Sequence, residues 1–218
     1  MSRSSHRARK RIVAGLEQIE PGYSTYRYDA PAFDAVAVKV FPGEHYVTSA
    51  PNEMPVTVLG SCVAACIRDP LAGIGGMNHF MLPEGQDGRW GNISASMRYG
   101  NVAMERLIND ILARGGVRRR LEVKVFGGAN VMGGTSNIGH RNADFVENYL
   151  AAEGIPIAAS HLRSNLPCRV HYFPATGRVL LLELRQFRRE ALLRSEALYN
   201  SKLRSEPVEG PVELFGDA

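Results

Sequence analysis

The residues best suited to chemistry lie in a short stretch, TVLGSCVAACIRDPLAGIGGMNHF, residues 57–80. It places Cys62, Cys66 and His79 in a run that otherwise reads as buried strand. A free thiol with a pKa of about 8.5 is mostly protonated at neutral pH, but an adjacent imidazole can hold it as a thiolate–imidazolium pair. The thiolate can then attack an acyl carbon, and the imidazolium can protonate a departing amine. A tetrahedral oxyanion needs backbone N–H donors, and Gly60 and Ser61 just before Cys62 let the backbone approach a substrate closely.

Whether thiol and imidazole meet depends on the turn at Asp69-Pro70-Leu71-Ala72-Gly73. Pro in the second position after Asp favours a type I turn. A two-residue loop sets Cys62 directly opposite His79. A four-residue loop, closed by Gly73 in the left-handed region, makes them diagonal neighbours on one face. Such neighbours are about 5 Å and about 7–8 Å apart, respectively, within reach of sulfur and imidazole. An odd-length loop or a bulge puts them on opposite faces. Cysteine is also among the most buried residue types, and Cys66, between Ala65 and Ile67, reads as core. Cys-x3-Cys with a distant His is poor zinc spacing, and no metal is expected. On residues alone, Cys62 is either a packing thiol or a nucleophile.

The elements that must position these residues are legible as hydrophobic patterns. Val36, Val38 and Val40 alternate before the Pro42-Gly43 turn, so residues 35–48 read as strand and turn. Residues 55–67, broken at Gly60, and 73–82 are further strand-like runs, followed by a polar, Gly-rich loop at 84–93. A helix is expected from the N-cap residue Ser94 to about Arg114, with Met104, Leu107, Ile108 and Ile111 on one face and Gly115-Gly116 as its stop. Residues 121–128 alternate as a strand. A second helix spans about 138–153, with Phe145, Val146, Tyr149 and Leu150 inward. Residues 155–162 and 168–185 read as strands, the latter a hairpin turned at 174–177, and 187–205 has helical composition. Strands and helices are mixed without strict alternation, so the fold class is α+β and the expected organisation is one domain over 35–186. Residues 1–34 read as a basic, poorly ordered N-terminal segment, and 187–218 as a C-terminal helix with an acidic tail.

Bulk composition excludes several classes. The 218 residues are 44% hydrophobic and 22% charged, which supports a real core and argues against wholesale disorder. Part of the net charge of +4 is local: residues 1–11, MSRSSHRARKR, hold five of the 26 Lys and Arg. No basic stripe interleaved with aromatics follows, so a solvated terminus is favoured over nucleic-acid binding. No run approaches the roughly 18 apolar residues of a membrane span, and the tail lacks a signal peptide's apolar stretch. A cytoplasmic protein without membrane insertion is expected. With three cysteines and no export signal, a disulfide framework is disfavoured.

The segment VLGSCVAACIRDPLAGIGGMNHFMLP (58–83) closely resembles the signature of the CheD chemoreceptor glutamine deamidases. The likeness continues in KVFPGEHYVT (39–48), YGNVAMERLINDI (99–111), KVFGGANVM (124–132) and NIGHRNADFVENYL (137–150), in order over roughly residues 38–185. The resemblance implies a cytoplasmic enzyme that hydrolyses selected Gln side chains of methyl-accepting chemotaxis proteins to Glu and ammonia. The family's nucleophile and base fall on Cys62 and His79. It also implies a mixed β-sandwich flanked by helices, similar to cysteine-dependent toxin deamidases, and no cofactor. The protein substrate would be the receptors' cytoplasmic helices, and a CheC-type phosphatase is an implied binding partner.

One position departs from the family pattern. Its usual third catalytic residue is a Thr six places before the Cys, where this chain has Val56. Thr57, one residue on, points to the other face of a regular strand. The orienting role falls either to Thr57, through a kink near Gly60, or to the main-chain carbonyl of Val56. In FGGANVMGG (126–134) the Gly-Lys-Ser/Thr of a phosphate loop is absent. Gly127 and Gly128 suit a tight turn bordering the site, with Asn130 and Asn137 as candidate binders of substrate backbone. His140, His161 and His171 have no partner at useful spacing. A rival reading is a non-catalytic regulatory module that docks on the phosphatase or on receptors. A cysteine protease is disfavoured because no carboxylate or carboxamide orienter follows His79 at recognisable spacing.

Overall fold

The computed structural model describes residues 22–82, 93–130, 137–185 and 189–205. Among the described residues, ten strands form two five-stranded mixed sheets. The first contains β1 (Tyr26–Ala30), β2 (Ala35–Lys39), β4 (Glu53–Leu59), β9 (Cys168–Phe173) and β10 (Arg178–Glu183), in that spatial order. The second is ordered β3 (His45–Thr48), β6 (Ile74–Asn78), β5 (Val63–Asp69), β7 (Glu122–Gly127) and β8 (Ile157–Leu162). Each sheet has one parallel pair, β2 with β4 and β7 with β8. With α1 (Ile93–Ala113), α2 (Ile138–Ala152) and α3 (Arg189–Ser205), this is the α+β sandwich expected from the sequence.

Side-chain alternation explains the layers. Val63, Ala65 and Ile67 of β5 join Met104, Leu107, Ile108 and Ile111 of α1 and Phe145, Val146 and Leu150 of α2 in one core. Ala64 and Cys66, on the opposite face of β5, pack with Val38, Leu59, Val170 and Tyr172 of the first sheet. Both faces of β5 are thus covered from Val63 to Ile67, which is why that run is continuously apolar. Each fully buried Leu, Ile or Met contributes about 1.5–3 kcal/mol, and the site is built on this doubly packed strand. A third cluster, Ala37, Met54 and Val56, lies on the outer face of the first sheet.

Some expectations need adjustment. Ser94 lies one residue inside α1 rather than capping it, and the Gly-rich loop at 84–92 falls outside the described residues. Residues 26–30, assigned from composition to the loose N-terminal segment, form β1, which pairs with β2 from Tyr26↔Lys39 to Ala30↔Ala35. That strand is invisible to an apolar-run search because its side chains are mostly exposed and it is held by backbone pairing. The basic residues 1–11 and the acidic tail from Pro207 also lie outside the described residues. Among the described residues no helix is long and apolar enough to cross a membrane.

Candidate active site

β4 ends at Leu59 in the first sheet and β5 begins at Val63 in the second, so Gly60, Ser61 and Cys62 form the crossover between sheets. Their three carbonyls are tied down on one side. The Ala129 N–H donates to the Gly60 carbonyl at 2.7 Å and the Gly128 N–H to the Cys62 carbonyl at 2.7 Å. The Asn142 side-chain amide donates to the Ser61 carbonyl at 2.8 Å. The N–H groups of Gly60, Ser61 and Cys62 are left to converge on one point, an anion-binding nest of the kind an oxyanion needs. Gly127 permits this closeness: at φ +106°, a Cβ there would stand 2.2 Å from the Cys62 carbonyl oxygen.

His79 reaches the same place through the β5–β6 hairpin. Asp69 pairs with Ile74, so the loop has four residues and Gly73 closes it at φ +66°. The Asp69 carboxylate accepts the N–H groups of Leu71 and Ala72 inside the turn. The register continues through a Val63↔Phe80 bridge, which makes Cys62 and His79 diagonal neighbours on one face. This is the four-residue alternative, with no bulge in the hairpin.

The Thr57 hydroxyl stands 2.7 Å from His79 Nδ1 and donates to the Val40 carbonyl at 2.8 Å. Its single proton is thereby used, so it accepts the Nδ1–H of the imidazole. Nε2 is then the lone-pair nitrogen, and it has no hydrogen-bond partner among the described residues. Burial pulls the His79 pKa down to about 4, against the pull of the Val40 carbonyl, and keeps the ring neutral at pH 7. Thr57 needs no kink to get there. It pairs with Val170 in regular β4 and, like Leu59, faces the interior, whereas Met54 and Val56 face out. The Val56 carbonyl is engaged by the Val40 N–H at 2.9 Å.

Cys62 is wholly buried between the sheets and under α3. Glu196 of α3 sends its carboxylate into the nest, accepting from the N–H groups of Gly60 at 3.2 Å, Ser61 at 2.9 Å and Cys62 at 3.4 Å, and from the Ser61 hydroxyl at 2.8 Å. Burial first, and then the charge and hydrogen bond of Glu196, push the Cys62 thiol well above its ordinary pKa. In this arrangement the pair is neutral thiol and neutral imidazole. Cys66 and Cys168 are buried thiols, both raised by burial, and Cys66 packs inside the sandwich. A cleft lined by Gly43, His45, His79, Tyr99 and Arg106 borders the histidine.

Cys62, His79, Thr57, Ser61, Gly60, Gly127 and Gly128 therefore come together, the last two behind Cys62 rather than in an open pocket. Asn130 is exposed, with its N–H on the Ser164 carbonyl at 3.0 Å, and Asn137 is the exposed residue preceding α2. Residues 131–136 between them lie outside the described residues. Sequence reasoning missed Asn142, Glu196 and the Val40 carbonyl. A wholly buried Asn on the apolar face of α2, beside Phe145 and Val146, is the signal that marks Asn142. A main-chain acceptor such as Val40 carries no side-chain signal at all.

The model of the family described as CheD chemotactic sensory transduction matches residues 81–183. Curated relatives extend the match across Cys62 and His79. A Rhodopseudomonas palustris protein is 71% identical over 88% of this chain and 90% of its own length. Proteins of Thiobacillus denitrificans and Janthinobacterium sp. are each 51% identical, over 90% and 88% of this chain and 98% and 96% of their own lengths. All three carry the name "Probable chemoreceptor glutamine deamidase CheD". Among solved structures, a Bacillus licheniformis protein, YfiH, overlaps 56% of this chain and 51% of its own at 12% identity and a TM-score of 0.36, a slight likeness. On the curated matches, the chain belongs to the CheD family.

Proposed function

We propose that this protein is a chemoreceptor glutamine deamidase, a protein-glutamine glutaminase with Cys62 as nucleophile and His79 as base. One observation carries the assignment of roles. His79 has Nδ1 fixed by Thr57 and Nε2 unpartnered among the described residues, on the face that also carries Cys62 beside its nest of N–H groups. Cys62 Sγ adds to the carboxamide carbon of a Gln side chain as its proton passes to His79 Nε2. The oxyanion is held by the N–H groups of Ser61 and Cys62, with Gly60 beside them. The C–N bond breaks as the imidazolium returns the proton to departing ammonia. Water, deprotonated by His79, then adds to the thioester, and the C–S bond breaks to leave Glu. The balance is Gln plus water to Glu plus ammonia.

Thr57 serves as the orienting third residue, and its place at His79 Nδ1 supports an enzyme over a purely regulatory module. The substrate is a Gln side chain on the cytoplasmic helices of chemoreceptors, as the relatives' names imply. Each turnover adds one negative charge to such a helix and alters its i,i+4 and interhelical electrostatics. Residues 35–186, with β1 (Tyr26–Ala30) on the edge of their first sheet, supply the catalytic domain, and Asn130 and Asn137 remain candidates for contact with the substrate backbone. A CheC-type phosphatase as partner, and a cytoplasmic location, follow from the family resemblance. The test is mass spectrometry of receptor cytoplasmic fragments incubated with wild type and with Cys62→Ala. A gain of about 1 Da at specific glutamines, with ammonia released, is expected of wild type alone. Fragments left unmodified by wild type overturn the assignment.

A further inference from the structure

α3 lays one stripe of side chains against the site: Leu192, Glu196, Tyr199 and Leu203, at spacings of four, three and four residues. Leu192 is buried, and Tyr199 and Leu203 pack against the core between the sheets. Glycines make room for the helix. A Cβ at Gly60 would stand 2.6 Å from Glu196 Oε1, and one at Gly43 would stand 2.8 Å from the Tyr199 hydroxyl. The Tyr199 hydroxyl also meets that of Tyr99 on α1.

A helix that merely covered an apolar seam would place Leu where Glu196 stands, because a buried carboxylate is costly unless several donors meet it. Here three backbone N–H groups and a hydroxyl do so, and one of those N–H groups is that of Cys62 itself. Those N–H groups are the ones the oxyanion needs. The side chain they hold is a glutamate, the product of glutamine hydrolysis.

We infer that the groove beneath α3 is the docking groove for the substrate helix, and that α3 occupies it as a built-in product mimic with Glu196 in the place of the reacting side chain. The inference rests on the deamidase reading and deepens it. The partner is an amphipathic helix presenting a glutamine on its inward stripe, and it must displace α3 to reach Cys62. While α3 is seated, Cys62 is covered, the nest is filled and the carboxylate disfavours the thiolate. Release of α3 undoes all three.

Two full-length variants test this. In Glu196→Ala the nest is empty and the charge beside Cys62 is gone. Alkylation of Cys62 by iodoacetamide is then expected to rise about tenfold or more, since each unit fall in a thiol's pKa raises its thiolate fraction tenfold. The KM for a receptor fragment is expected to fall with it. In Glu196→Gln, a nearly isosteric change that keeps the packing, the seated residue becomes a substrate. Cys62 attacks its carboxamide, ammonia leaves, water hydrolyses the thioester, and the intact mass rises by about 1 Da as Glu is restored. The double variant Glu196→Gln with Cys62→Ala should keep its introduced carboxamide. If alkylation stays at the wild-type rate and the carboxamide persists in the single variant while wild type deamidates receptor fragments, the inference fails and the deamidase reading stands. If alkylation rises but no form modifies a receptor, the cover stands and the deamidase reading fails.

Discussion

The hydroxyl of Thr57 lies 2.7 Å from Nδ1 of His79 and donates its own hydrogen bond to the Val40 carbonyl at 2.8 Å. The imidazole therefore holds one tautomer, with its lone pair on Nε2, which has no hydrogen-bond partner among the described residues. Thr57→Val keeps the volume and removes the acceptor. A fall of about 10- to 100-fold in kcat is expected, less than the 10²–10⁴ that general acid–base catalysis supplies in full, because the Val40 carbonyl remains. KM should change little, and Thr57→Ser should restore most of the rate. Steady-state ammonia release distinguishes the three.

Asn142 ties the crossover that carries Cys62 to the segment that follows His79. Its amide donates to the Ser61 carbonyl at 2.8 Å, and its carbonyl oxygen accepts the Leu82 N–H at 2.9 Å. Asn142→Leu leaves both partners buried and unsatisfied. A loss of about 2–4 kcal/mol in unfolding free energy is expected by urea titration, since each such group costs about 1–3 kcal/mol. The folded fraction should also have a lower kcat, because the Ser61–Cys62 peptide is no longer fixed.

Asp69 anchors the turn that sets the Cys62–His79 register. Burial pushes its carboxyl up, but the Arg120 guanidinium and the N–H groups of Val117, Ala72 and Leu71 together outweigh that and bring it down to about 2. The unfolded chain, with a pKa of about 3.9, takes up the proton first as pH falls. The stabilisation is therefore complete above about pH 5 and is lost between about pH 4 and pH 2, on the order of 2 kcal/mol. Urea unfolding at pH 6 and pH 3 should show about half of this loss in wild type, and a smaller one in an already weakened Asp69→Asn.

Much of this is legible in the residues because the signals are local. Alternating Val36, Val38 and Val40, the helical spacing of Met104, Leu107, Ile108 and Ile111, and Gly73 after Asp69-Pro70 each act within one element. An even-length hairpin loop is enough to put Cys62 and His79 on one face. What is not legible depends on contacts distant in sequence. Choosing between Val56 and Thr57 requires knowing which face of β4 meets the second sheet. The separation of 134 residues between Cys62 and Glu196 hides the covering carboxylate completely.

The covalent step is the most direct point of attack on the central claim, that Cys62 carries the acyl group. Wild-type protein mixed with a receptor fragment and quenched in acid within the first turnover should yield a thioester adduct. Its mass is the sum of enzyme and fragment less about 17 Da for ammonia, and peptide mapping should place it on Cys62. His79→Ala should form little of it. Deamidated receptor appearing at the wild-type rate with Cys62→Ala, or an adduct mapping to Cys66 or Cys168, would contradict the assignment.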